Sequence, residues 1–265
     1  MKLMSEGEVD LYLNEELGEL EGCVVLARPE YGAAAYVAAS GIVDLDNPVG
    51  RLISKYHYQD VFNHIPDLED IGWPIYKAKA NGKEWLILII DSWRPLSMMP
   101  GEGQNTWIYS YPVIRDFTAF LQKKGVDKMC YLSSTSPNDS FPPNVFPQPK
   151  RSRTYEYHFG EGRKSTAKAF LLPPTWLFPH IFSMTGGDGW ITFTGFKDDI
   201  VDELAAETLG TYLKDTLGFK INRKTCERTV ERIREEESDL REVHSKGSEI
   251  IEGLKQTGNS DHMWG

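Results

Sequence analysis

Cysteine is scarce in this 265-residue sequence: Cys23, Cys130 and Cys226 are the only three. The number is odd and the spacing wide, which excludes a disulfide scaffold. Two of the three fall in stretches expected to be buried strands, so reduced thiols and an intracellular, cytoplasmic protein are expected. There is no Cys-x-x-Cys and no His-Glu-x-x-His among the six histidines, so neither common zinc signature is present and no metal is expected. Apolar runs stay well short of the ~20 residues of a membrane span. Met1 to Leu20 is acidic and carries no hydrophobic signal region, so no membrane partner is expected. Basic residues are outnumbered, 29 against 39 acidic, for a net charge of -10. That balance excludes a general binder of nucleic-acid backbone, although it leaves room for a local basic patch.

Against these absences stands one strong feature. Trp85 to Ile90 is an unbroken apolar run with no period-two alternation. Such a run suits a central, mostly parallel strand covered by helices on both sides. Each of its large side chains contributes roughly 1.5–3 kcal/mol when buried. The run stops at Asp91, Arg94 and Pro95. Crevices of open α/β sheets form just beyond the carboxyl ends of such strands, so Asp91 to Gly103 is the first place to seek a ligand.

The surrounding pattern predicts an α/β protein. Residues 1–21 read as a lead-in arm with a short amphipathic piece, Val9 to Leu17. Cys23 to Ala27 is a buried strand, turning at Arg28-Pro29-Glu30-Tyr31-Gly32 into an alanine-rich helix, Ala33 to Ser40. A further helix is expected from Pro48 to Tyr56, with proline near its start. Ile75 to Ala80 and Lys83 to Ile90 flank Asn81-Gly82, a two-residue hairpin signal. Ser97 to Gly103 is a loop. Thr106 to Lys124 has apolar residues at helical spacing and is stopped by Gly125. Val126 to Leu132 is the next strand, ending in Ser133-Ser134-Thr135-Ser136 and completing a right-handed βαβ unit.

Pro137 to Ser152 is a long polar, proline-rich loop. Thr154 to Phe159 alternates like an edge strand, Ala167 to Leu172 is a short strand, and Pro173 to Met184 is a short helix. Gly186 to Gly189 turns into the strand Trp190 to Thr194. Asp198 to Leu217 is a helix closed by Gly218. From Ile221 the chain becomes highly charged. Val230, Ile233, Leu240, Ile251 and Leu254 form one helical seam, weakened by Glu237, His244 and Gly247. A helical appendage over 221–255 is expected, with a break near Gly247, followed by a flexible tail over 256–265.

Chemical signatures are thin. Gly101-Glu102-Gly103 is half of a dinucleotide fingerprint but follows Pro100, and no strand runs into it. Gly160 to Ser165 lacks the Gly-Lys pair of a phosphate loop and reads as a basic surface turn. The turn at Arg28 is well placed for an anion, yet one glycine gives its amides little scope to converge. Glu156 and His158 share a strand face and offer two metal ligands without a third. Ser133 and Ser134 stand at a strand end with no identifiable base. Asp91 and Arg94 can pair with each other or meet a ligand. No catalytic, cofactor-binding or metal-binding residue is therefore assigned.

Four stretches together resemble the proteasome assembly chaperone family, the one named after the second such chaperone. They are Val24 to Ser40, the strand ending Ile89-Ile90-Asp91-Ser92-Trp93-Arg94-Pro95 with its loop and long helix, the Gly125-Val126 strand ending in small hydroxyl residues, and Asp202-Glu203-Leu204-Ala205-Ala206 in a helix reaching Leu217-Gly218-Phe219. The likeness spans residues 22 to 240. The first turn departs from the family's glycine-rich form, keeping only Pro29 and Gly32, which removes support for a nucleotide there.

The resemblance implies a three-layer α/β fold, with a mostly parallel sheet flanked by helices as in nucleoside phosphorylases, over 22–220. It implies a homo-oligomer that binds rather than catalyses, its partner being the α subunits of the proteasome core particle or their assembly intermediates. Partners of that particle dock through a terminal hydrophobic residue, a tyrosine and a free carboxylate, so Met263, Trp264 and Gly265, with tryptophan in the tyrosine position, are the partner-binding residues it points to. The alternative is an enzyme of the nucleoside phosphorylase or ATP-grasp ligase type, with its site near Asp91 and Ser133. The ATP-grasp label carried by some family members finds no support in these residues.

Overall fold

Asn81 and Gly82 both take positive φ, 51° and 81°. That is the backbone of the tight turn that matches strand twist, and it joins β5 (Trp73–Ala80) to β6 (Lys83–Ile90) as an antiparallel hairpin. The computed structural model describes residues 2–7, 9–28, 31–54, 72–90, 106–135, 149–160, 177–197 and 200–239. In it β6 is the fifth strand of a nine-stranded sheet. It pairs on its other side, in parallel, with β3 (Leu20–Ala27). β7 (Lys128–Thr135) and β9 (Asp188–Gly195) continue the parallel part, and β8 (Thr154–His158) closes that edge antiparallel to β9.

The other half differs from expectation. Residues 1–21, expected as a lead-in arm, supply β1 (Lys2–Glu6) and β2 (Val9–Leu13) to the same sheet. Val9, Leu11 and Leu13 are buried while Asp10 and Tyr12 are only partly so, the period-two signature of a half-covered strand. The expected helix from Pro48 to Tyr56 is replaced over its central residues by β4 (Gly50–Ser54), held between β2 and β5. Gly50 lies so close to β2 that a Cβ would come within 2.3 Å of the Tyr12 carbonyl oxygen. The sheet is consequently not mostly parallel: three pairings are parallel and five antiparallel. Short connections make the β1–β2 and β5–β6 pairings antiparallel, whereas parallel strands need a longer crossover, such as the one through α2 between β6 and β7.

Helices cover both faces. Cys23, Val25, Leu86, Leu88, Ile90, Met129, Tyr131 and Ile191 point to one side, under α2 (Thr106–Lys123) and α3 (Leu177–Met184). Val24, Leu26, Trp85, Ile87, Ile89, Cys130 and Leu132 point to the other, under α1 (Ala34–Ser40), α4 (Glu203–Asp215) and α5 (223–239). All six residues from Trp85 to Ile90 are at most 3% exposed, as the unbroken run requires. Gly125 and Gly218 end their helices at φ +82° and +83°, conformations that cost a side chain about 1–2 kcal/mol. Among the described residues no helix is long and apolar enough to cross a membrane.

Candidate functional site

At the carboxyl ends of the parallel strands the ladder hydrogen bonds run on by one residue. Arg28 N–H donates to the Ile90 carbonyl at 2.8 Å, and Phe196 N–H to that of Thr135 at 3.1 Å. Beyond Arg28, Gly32 and Ala33 sit at φ 65° and 45° before α1, which has no side-chain cap. The Gly32 carbonyl accepts from Asp202 N–H at 2.9 Å, and a Cβ on Gly32 would come within 3.2 Å of both Asp202 and Phe196. Gly32, the last residue of this turn, packs against the start of α4.

Asp202 occupies the polar centre of that region. It is the N-cap of α4, its side chain accepting from Ala205 N–H. It also accepts from Lys197 N–H and from two nitrogens of Arg151. Burial pushes its carboxyl up, but the Arg151 guanidinium and the two amides outweigh that and hold it below the usual carboxylate range. Its local signal was an Asp before an acidic first turn and an apolar helix. The Arg151 partner, 51 residues away in sequence, left no trace there.

Of the residues considered for chemistry, Ser133 and Ser134 are buried within β7, and the Ser133 hydroxyl donates to the Ser134 carbonyl at 3.3 Å. Glu156 and His158 do share a face of β8, and Asp188 joins them. Glu156 lies 3.6 Å from His158 Nε2 and Asp188 lies 3.8 Å from Nδ1, so the two carboxylates address different ring nitrogens and converge on no common ion. Among the described residues no group of three or more such side chains is arranged to hold a metal. The His158 ring stacks on Trp190, whose indole N–H donates to the Tyr212 hydroxyl at 2.8 Å. Asp91, Arg94, Trp93, the loop from Ser97 to Gly103, Gly160 apart the basic turn that follows it, and Met263, Trp264 and Gly265 lie outside the described residues.

Among the described residues, open space lies beside α5. A cleft of about 740 Å³ separates it from α4, with Val37, Ala206, Gly210, Phe219 and Val230 among its walls. A second, of about 520 Å³, separates it from the 40–46 loop. Ion pairs bridge the first: Arg234 to Glu203 at 2.5 Å and Arg223 to Glu207 at 3.5 Å. Arg28 joins the strand ends to α5 through Glu236 at 2.5 Å while its guanidinium lies 5.3 Å from the centre of the Tyr36 ring. Arg232 donates to the Tyr36 hydroxyl at 2.9 Å. Exposed pairs of this kind contribute about 0–1 kcal/mol each.

No family model and no curated protein sequence matches this chain. Solved structures do. PbaB of Pyrococcus furiosus, an archaeal proteasome activator, aligns with a TM-score of 0.58 and 15% identity over 90% of this chain and 99% of its own. PbaA of the same organism, an archaeal homolog of proteasome-assembly chaperone, gives 0.53 and 16% over 95% and 99%. This chain has the fold of that chaperone homolog. A Mycobacterium tuberculosis protein of unknown function, Rv2714, aligns with this chain at a TM-score of 0.54 and 11% identity over 97% of this chain and 93% of its own. The likeness in fold thus extends over 90–97% of this chain.

Proposed function

We propose that this protein is a proteasome assembly chaperone-like binding protein that works as a cytoplasmic homo-oligomer on α subunits of the proteasome core particle or their assembly intermediates. The observation that carries the reading is the fold shared, over 99% of their own lengths, with an archaeal proteasome activator and an archaeal homolog of proteasome-assembly chaperone. The body through residue 220 is the chaperone-like unit, 221–255 the charged helical appendage, and 256–265 the tail. Met263 supplies an apolar anchor, Trp264 an aromatic wedge and Gly265 a carboxylate for a basic pocket between subunits. Several tails on one oligomer multiply a weak single contact through effective concentration. The chemistry of the described strand ends favours binding over catalysis, since the Ser133 hydroxyl is turned onto backbone.

A pull-down with the intact chain and with a chain lacking Met263 to Gly265 tests it. Retention of core-particle α subunits by the intact chain alone is expected. Retention by neither form overturns the reading.

A further inference from the structure

We propose that α5 is a salt-sensitive latch: a helix moored to the body by ion pairs across two clefts, able to undock while the sheet and α4 stay folded. Between residues 223 and 239 only Thr229 and Val230 are buried. A cleft runs along each side, so apolar contact is confined to a narrow line through Cys226, Val230 and Ile233. The polar moorings lie outside that line. Arg223 and Arg234 reach Glu207 and Glu203 on α4, Arg28 reaches Glu236, and Arg232 reaches Tyr36 and, at 4.0 Å, Asp46.

The segment before α5 is fixed to the body and sets the pivot at its end: Asn81 N–H donates to the Gly218 carbonyl at 3.3 Å, Phe219 is buried, and Asn222 N–H donates to the Gly41 carbonyl at 2.8 Å just before the helix begins. Exposed ion pairs weaken as the screening length falls toward the separation of the paired charges, whereas apolar burial does not. Elements with few buried contacts open first and independently of the core. A swinging α5 is ~26 Å long at ~1.5 Å per residue, and it adds that reach to the residues that follow it. The consequence for docking rests on the reading that Met263 to Gly265 engage a partner; the latch itself does not.

Hydrogen exchange on the full-length protein tests the latch without any partner. Between about 0.1 M and about 1 M sodium chloride the screening length falls from ~10 to ~3 Å. Amides of α5 should lose protection about tenfold or more, while those of α4 and β3 keep theirs. The double variant Arg223→Gln, Arg234→Gln should show the high-salt pattern at low salt. As a second readout, the Cys226 thiol on α5 should label faster in wild-type protein as salt rises. Protection of α5 that is unchanged or rises with salt overturns the proposal, as does loss in step with α4 and β3. A failed proteasome pull-down leaves these exchange rates untouched, so the two failures are distinguishable.

Discussion

Arg151 grips the buried carboxylate of Asp202 with two nitrogens, Nε at 2.6 Å and Nη2 at 2.7 Å. Asp202 is fully buried while the Arg151 side chain is 37% exposed. Breaking a buried pair by removing one partner costs about 3–5 kcal/mol, and the solvent access of Arg151 lowers the figure expected for Arg151→Met to about 2–3 kcal/mol. Because the folded carboxyl is held below its ordinary value, its contribution is present above about pH 4 and is lost as pH falls through the depressed folded value. Asp202→Asn keeps a capping acceptor and removes the titration. Denaturant melts from pH 7 to pH 3 should show it less stable than wild type at pH 7, with a shallower decline below pH 4.

Two glycines should respond in opposite directions. Gly210 lies inside α4 on the cleft wall, and an added Cβ meets nothing within 4 Å. Gly210→Ala should raise stability by about 0.5–1 kcal/mol through helix propensity. Gly7 turns β1 into β2 at φ +55°, where a Cβ would come within 2.1 Å of the Asp116 carboxylate. Gly7→Ala should cost about 2–4 kcal/mol, combining left-handed strain with a clash against a buried group. Shifts in urea midpoint at constant slope measure both.

The thiols should separate by burial. Cys23 and Cys130 are fully buried; burial pushes the Cys23 thiol well up and that of Cys130 up to about 12. Cys226 is half-buried and raised less. At pH 8 a thiol reagent should therefore label Cys226 slowly and leave the other two until denaturant is added. Rapid labelling of Cys23 or Cys130 in the native protein would contradict the packing described.

What was legible in the sequence was local. Asn81-Gly82, the apolar run of β6, and the stops at Gly125 and Gly218 each state their conformation within a few residues. β4 was hidden because its strand state comes from partners on β2 and β5. The alternation Val9, Leu11, Leu13 is present in the sequence, but five residues of it state a strand only once β1 and β4 lie on either side. Asp198 to Leu217 was expected as one helix; the helix begins at Glu203, where the Asp202 side chain caps it. The Arg151–Asp202 and Arg28–Glu236 pairs join residues far apart in sequence and have no periodic signature.

Direct binding of full-length protein to purified proteasome core particle, with Trp264→Ala beside wild type, tests the central claim most directly. Saturable binding by wild type, weakened about a hundredfold or more in the variant by loss of the aromatic anchor and its avidity, is the predicted result. Equal affinity of the two forms would remove Trp264 from the interface, and absence of binding by both would contradict the account.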